Sequence, residues 1–89
     1  MVREQLQTAA QHLRTAIESA DDDASERLTE LAEKLDSLAT GDRGPDHGSM
    51  ARMQNTLNDV KDDVDADAVA AIDDAKESIS DYRSTVEGV

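Results

Sequence analysis

Residues 21–40 read DDDASERLTELAEKLDSLAT. Behind the three aspartates, Ala24, Leu28, Leu31, Leu35 and Leu38 recur at alternating steps of four and three. That spacing lays five apolar side chains along one stripe of an α-helix. The aspartates suit the start of such a helix, because a carboxylate at the N-cap accepts from backbone amides that lack intrahelical partners; Asp23 or Asp22 is the expected cap. At the other end Thr40-Gly41 stops the run, with Gly41 expected in the left-handed conformation that closes many helices. One stretch thus holds a turn, a helix start, an apolar seam and a stop.

The same spacing extends to both sides. Upstream it runs Val2, Leu6, Ala9, Leu13, Ala16, Ala20; downstream it runs Met50, Met53, Leu57, Val60, Val64 and then Ala68, Ile72, Ala75, Ile79, Tyr82, Val86. No glycine or proline interrupts any of the four segments, and helix-forming residues fill the positions between the apolar ones. Asp65 or Asp67 opens the last segment and Gly88 follows it. Helices are therefore expected over about 2–20, 23–40, 46–64 and 66–87, within a single domain spanning residues 1–89. Short links between helices of similar length make neighbours antiparallel, so the fold class is all-α, an up-down-up-down four-helix bundle. The same seams would also stabilise two long hairpins exchanged between two chains.

Displacing the sequence by 44 aligns Leu6, Ala9, Leu13, Ala16, Ala20, Ala24, Leu28, Leu31, Leu35 and Leu38 with Met50, Met53, Leu57, Val60, Val64, Ala68, Ile72, Ala75, Ile79 and Tyr82. Asp21, Asp23, Ala24 and Glu33 recur as Asp65, Asp67, Ala68 and Glu77. Two amphipathic hairpins can align this way by pattern alone. A register kept across both turns points further, to two pseudo-repeated helical hairpins.

Composition narrows the chemistry. Thirteen of the 89 residues are alanine, there is one tyrosine, and phenylalanine and tryptophan are absent. A core of small residues needs its elements close together, which helices achieve more readily than a sheet. Without cysteine there is no disulfide, thiolate metal site or cysteine nucleophile. No apolar run approaches the roughly 18 residues a membrane helix needs, and MVREQLQTAA has no signal-peptide core, so a cytoplasmic location is expected. Fourteen aspartates and seven glutamates against three lysines and six arginines give a net charge of −12. Nucleic acid and anionic membrane are therefore poor partners. The preference for Asp over Glu and Arg over Lys is that of proteins adapted to molar salt, where a Debye length of about 3 Å screens repulsion between surface carboxylates.

Asp63-x-Asp65-x-Asp67 imitates the start of a calcium loop, but Ala68 stands where the turn requires glycine and Asp74 where a bidentate glutamate belongs. No metal and no cofactor is expected. His12 flanks the first seam, and a histidine on a four-helix bundle invites a phosphotransfer reading; Gln11-His12-Leu13-Arg14 has a basic neighbour without the usual spacing or glycine. No serine has a histidine at a partner position, and no Glu-x-x-His pair faces inward, so no catalytic residue is assigned.

The stretch TGDRGPDHGS, residues 40–49, is compositionally apart: it contains three of the four glycines and the only proline. Pro45 favours an extended Gly44, and Asp46 is placed to cap the third helix. Capping leaves Arg43 and His47 unexplained. With Arg3, Arg52 and Arg83 they belong to the end of the bundle opposite the acidic turns, where an acidic partner or small anion could dock. Arg43, Asp46, His47 and Arg52 are the candidate binding residues. The motif Gly41-Asp42-Arg43-Gly44-Pro45-Asp46-His47-Gly48, with Ala51-Arg52 and the ending Tyr82-Arg83-x-Thr85-Val86-Glu87-Gly88-Val89, resembles a family of small acidic haloarchaeal proteins of unknown function. That resemblance implies a helical, cytoplasmic protein and assigns no activity. The expected role is a non-enzymatic structural or interaction module, engaging a protein partner or forming a homodimer. The alternative is a phosphotransfer-like or small-ligand-binding bundle using His12 or His47.

Overall fold

A computed structural model describes residues 3–41 and 47–87, with the backbone alone for His47, Val86 and Glu87. Its helices are α1 Glu4–Ile17, α2 Asp22–Thr40, α3 His47–Lys61 and α4 Ala66–Glu87. α1 and α3 stop about three residues short of the expected ends because the chain tightens there. Glu18, Ser19 and Ala20 donate to the carbonyls of Thr15, Ala16 and Ile17, each at 3.2 Å, and Asp62 and Asp63 do the same to Asp59 and Val60 at 3.3 and 2.9 Å. These are three-residue steps, tighter than those of an α-helix.

Two expected caps need correction. Asp21, rather than Asp22 or Asp23, starts α2: its backbone is extended and its carboxylate accepts from the Ala24 amide at 2.9 Å. Asp22 and Asp23 become the first turn, where carboxylates face the positive end of the helix dipole. Gly41 is extended, with φ −76° and ψ 166°, not left-handed. The reason is that α2's last carbonyls are served from elsewhere in the chain. The Arg3 amide donates to Ala39 at 2.9 Å, and Arg3 Nη1 donates to Leu38 and Gly41, each at 3.0 Å. Asp65 caps α4 as expected, accepting from the Ala68 amide at 3.0 Å. The caps of α2 and α4, and the tight turns that precede them, therefore repeat 44 residues apart. The proposed caps Asp46 and Gly88, and the Gly44–Pro45 step, lie outside the described residues.

The helices form an antiparallel ring in chain order. Arg3 meets the end of α2, and Ser25 Oγ donates back to Ile17 at 3.3 Å. Lys61 Nζ lies 2.6 Å from Asp73 and Gln54 Nε2 3.0 Å from Ser80 Oγ, which sets α3 against α4. Arg27 at the start of α2 reaches Asp63 just beyond α3. Neighbours pack and diagonals do not: α1 lies against α2 and α4, and α3 touches α4 and α2 more slightly. The molecule measures 38 × 20 × 17 Å, and the 22 residues of α4, about 33 Å of helix, run nearly its whole length. Among the described residues the four helices pack as an all-α bundle with no buried polar or charged residue.

The core follows the expected seams except at their ends, where Ala20, Val64 and Tyr82 are only partly buried, and with one shift in α2. Leu6, Ala9, Leu13 and Ala16 of α1, Met50, Met53, Leu57 and Val60 of α3, and Ala68, Ile72, Ala75 and Ile79 of α4 are buried. In α2, however, Ala32 and Ala39 are buried beside Leu28 and Leu35, while Leu31 and Leu38 are only partly covered. Side-chain volume explains the shift. Ala10, Ala32 and Ala39 let α1 and α2 approach closely, as Ala9, Ala16, Ala71 and Ala75 do for α1 and α4. α3 contributes two methionines, a leucine and a valine but no buried alanine, so it stands farther off; contact residues set spacing between about 8 and 10 Å.

Candidate functional site

Of the four candidate binding residues, the structure describes one side chain. Arg43 and Asp46 lie outside the described residues, as does the side chain of His47, whose backbone opens α3. Arg52 is exposed on α3 and donates to Ser49 Oγ at 3.2 Å. Arg3 and Arg83, expected at the same end, are held within the fold. Arg3 closes α2; Arg83 Nη1 donates to Gln54 Oε1 at 2.7 Å, and its buried Nε has no partner. His12 is half-buried on α1 and makes no hydrogen bond or ion pair. It stands eight residues beyond Glu4, about 12 Å along the helix, so it is well removed from the end where α3 begins. At the acidic end Asp21 and Asp65 serve as caps and Asp63 lies 3.8 Å from Arg27. Among the described residues no three His, Cys, Asp or Glu side chains stand close enough to hold a metal ion.

The partners of the basic residues reveal a site that no sequence motif marks. Arg14 pairs with Asp36 across α1 and α2. Lys61 pairs with Asp73, Lys76 with Asn58, and Arg83 with Gln54, all between α3 and α4. Three described cations remain loosely held or free. Arg27 has only its long contact to Asp63, Arg52 has Ser49, and Lys34 has neither a hydrogen bond nor an ion pair.

All three fall on one seam. Arg27, Leu31, Lys34 and Leu38 follow one another at steps of four, three and four, and so share an edge of α2. The contact from Arg27 to Asp63 turns that edge towards α3, and the pair between Asp36 and Arg14 turns the opposite edge towards α1. On α3, Ser49, Arg52, Thr56 and Asp59 follow one another at steps of three, four and three, and the line leads on to Asp63 beyond the helix end. The α2/α3 seam therefore carries two half-buried leucines against a polar edge of α3, with Arg27, Lys34 and Arg52 along its rim together with the carboxylates Glu30, Asp59 and Asp63. A signal for it existed in the sequence. The stripe Ala24, Leu28, Ala32, Leu35, Ala39 competes with the leucine stripe in the same run and, when it takes the core, rolls Leu31 and Leu38 to the edge.

No described helix is long and apolar enough to cross a membrane. No curated protein and no solved structure matches the chain. One family does: the match covers residues 1–85, nearly the whole sequence, and the chain belongs to the family of unknown function DUF7553.

Proposed function

We propose that this bundle is a non-enzymatic protein-interaction module, working in the cytoplasm of a cell that accumulates salt. The observation that carries the reading is the α2/α3 seam. In a chain of net charge −12 the described cations least committed to the fold stand beside its two half-buried leucines. Apolar area ringed by exposed charge is the usual anatomy of a protein-binding surface, with apolar anchors at the centre and a polar rim. In sequence, Arg43 and Asp46 belong to the link between these same two helices and His47 is the first residue of α3.

Salt adaptation rests on composition, since aspartate outnumbers glutamate two to one and only nine basic residues balance 21 acidic ones. The experiment is affinity capture from a lysate held at high salt, comparing the native chain with the double variant Lys34→Glu, Arg52→Glu. Specific partners lost with the double variant support the reading. Capture that is unchanged, or that yields no partner from the native chain, overturns it.

A further inference from the structure

We propose that Met50 and Met53 make α3 an oxidant-sensitive latch: turning their thioethers into sulfoxides frees the first half of this helix while α1, α2 and α4 stay packed. Both side chains are buried, at 1% and 3% exposure, and three residues apart they share one stripe of α3. The 44-residue repeat sets Leu6 and Ala9 of α1 at the equivalent positions. The second hairpin thus has two methionines where the first has a leucine and an alanine. Their long, unbranched side chains fill the wider space under the helix that stands farther off. The chain has no cysteine, so methionine is its one oxidisable sulfur.

A sulfoxide changes what that space can hold. Among the described residues no polar or charged side chain is buried, so none in the core donates to a new sulfoxide oxygen. A buried polar group without a partner destabilises the state that buries it. The group reaches water if α3 lifts, and α3 is the helix able to do so: it touches α2 and α4 only slightly, and Gln54 rather than alanine holds its outer edge to α4. Placement decides which half moves. Lys61 pairs with Asp73, and the tight turn at Asp62 and Asp63 leads directly to the Asp65 cap, so the far end of α3 is anchored. The methionines stand at the other end. The oxidant is a peroxide. As the S–O bond forms the O–O bond breaks, and the departing hydroxide takes the proton of the transferred oxygen and leaves as water. Sulfur is oxidised by two electrons and the peroxide reduced by two. Because both sulfurs are covered, the peroxide meets them when α3 opens, and the sulfoxides then keep it open.

The test treats the full chain with hydrogen peroxide at high salt. Peptide mass spectrometry reads oxygen uptake at each methionine, and deuterium exchange reads the protection of each helix. Met50 and Met53 should oxidise more slowly than in the urea-unfolded chain. Once they are oxidised, amides in the first half of α3 should exchange about tenfold faster or more, with those of α1 changed far less. The variant Met50→Leu, Met53→Leu keeps the core apolar at similar volume, and peroxide should leave its α3 protected. The variant Met50→Gln, Met53→Gln should loosen the same segment with no oxidant present. Equal loss of protection in α1 and α3 overturns the proposal, because oxidation then simply unfolds the bundle. So does α3 protection that survives oxidation of both methionines, or loosening by peroxide that persists in the leucine variant. Methionines that stay reduced at peroxide levels sufficient for the unfolded chain overturn it as well.

Discussion

Asp21 and Asp65 each give a carboxylate oxygen to the amide three residues on, at 2.9 and 3.0 Å, and neither helix has another cap at that end. Replacing either with alanine should lower stability by about 1 kcal/mol, and the two losses should be nearly equal in thermal unfolding at fixed salt. Arg3 works at the opposite end. Its guanidinium meets Leu38 and Gly41 while its amide meets Ala39, so Arg3→Ala should destabilise by about 1–2 kcal/mol, with Arg3→Lys recovering part of it. The sharpest contrast at this scale lies between neighbours. Ala32 is buried where α1 comes closest, and Leu31 beside it is half-exposed. Ala32→Leu should cost about 1–3 kcal/mol by overpacking, whereas Leu31→Ser should cost less, because part of the Leu31 side chain already lies in water. Urea unfolding of the two variants tests this order, and its inversion would return Leu31 to the core.

Among the elements, α3 is the exception. α1 closes on α2 and α4 through alanine, whereas the outer edge where α3 meets α4 is held by polar contacts. Gln54 donates to the Lys76 carbonyl at 3.2 Å and to Ser80 Oγ at 3.0 Å and accepts from Arg83 at 2.7 Å. The register repeat explains the difference: Ala10, Ala32 and Ala39 of the first hairpin correspond to Gln54, Lys76 and Arg83 of the second. Polar groups near water hold less tightly than buried alanine seams, and local opening follows the least-buried contacts. Amides in the middle of α3 should therefore exchange with deuterium faster than those in the middle of α1. Gln54→Ala should widen that gap, because Arg83 then loses its one described partner. Equal protection of the two helices would remove this reading of α3. The existence and order of the helices were legible because a period near 3.6 recurs four times with breaks between. Where each seam centres was not legible, since Leu31 and Ala32 both fit the stripe and only the close approach of α1 chooses between them. Arg3 as the closing group for α2 was also hidden, because it acts across 35 residues of sequence.

For the molecule as a whole, charge sets the conditions under which the fold holds. With 21 acidic and nine basic residues on a particle 38 Å long, most carboxylates lie within a Debye length of one another in dilute buffer, about 30 Å at 0.01 M, and far fewer do at 1 M, where it is about 3 Å. The melting temperature should rise from dilute buffer to molar salt, followed by circular dichroism at 222 nm, and an unchanged curve would count against salt adaptation. The candidate site was only partly visible at this scale. Arg52 stood out because it is basic in an acidic chain, but Arg27 and Lys34 gained meaning once the other cations were seen to be engaged. The bundle resembles a barrel of four staves in which three, α2, α1 and α4, are fitted tightly and the fourth is fitted loosely. That loose stave is not at a chain end. Its neighbours in sequence, α2 and α4, are the helices fixed against α1, so α3 is tethered on both sides. A ligand that pushes α3 outward stretches those tethers without unthreading the fold, and when it leaves the helix has a short way back.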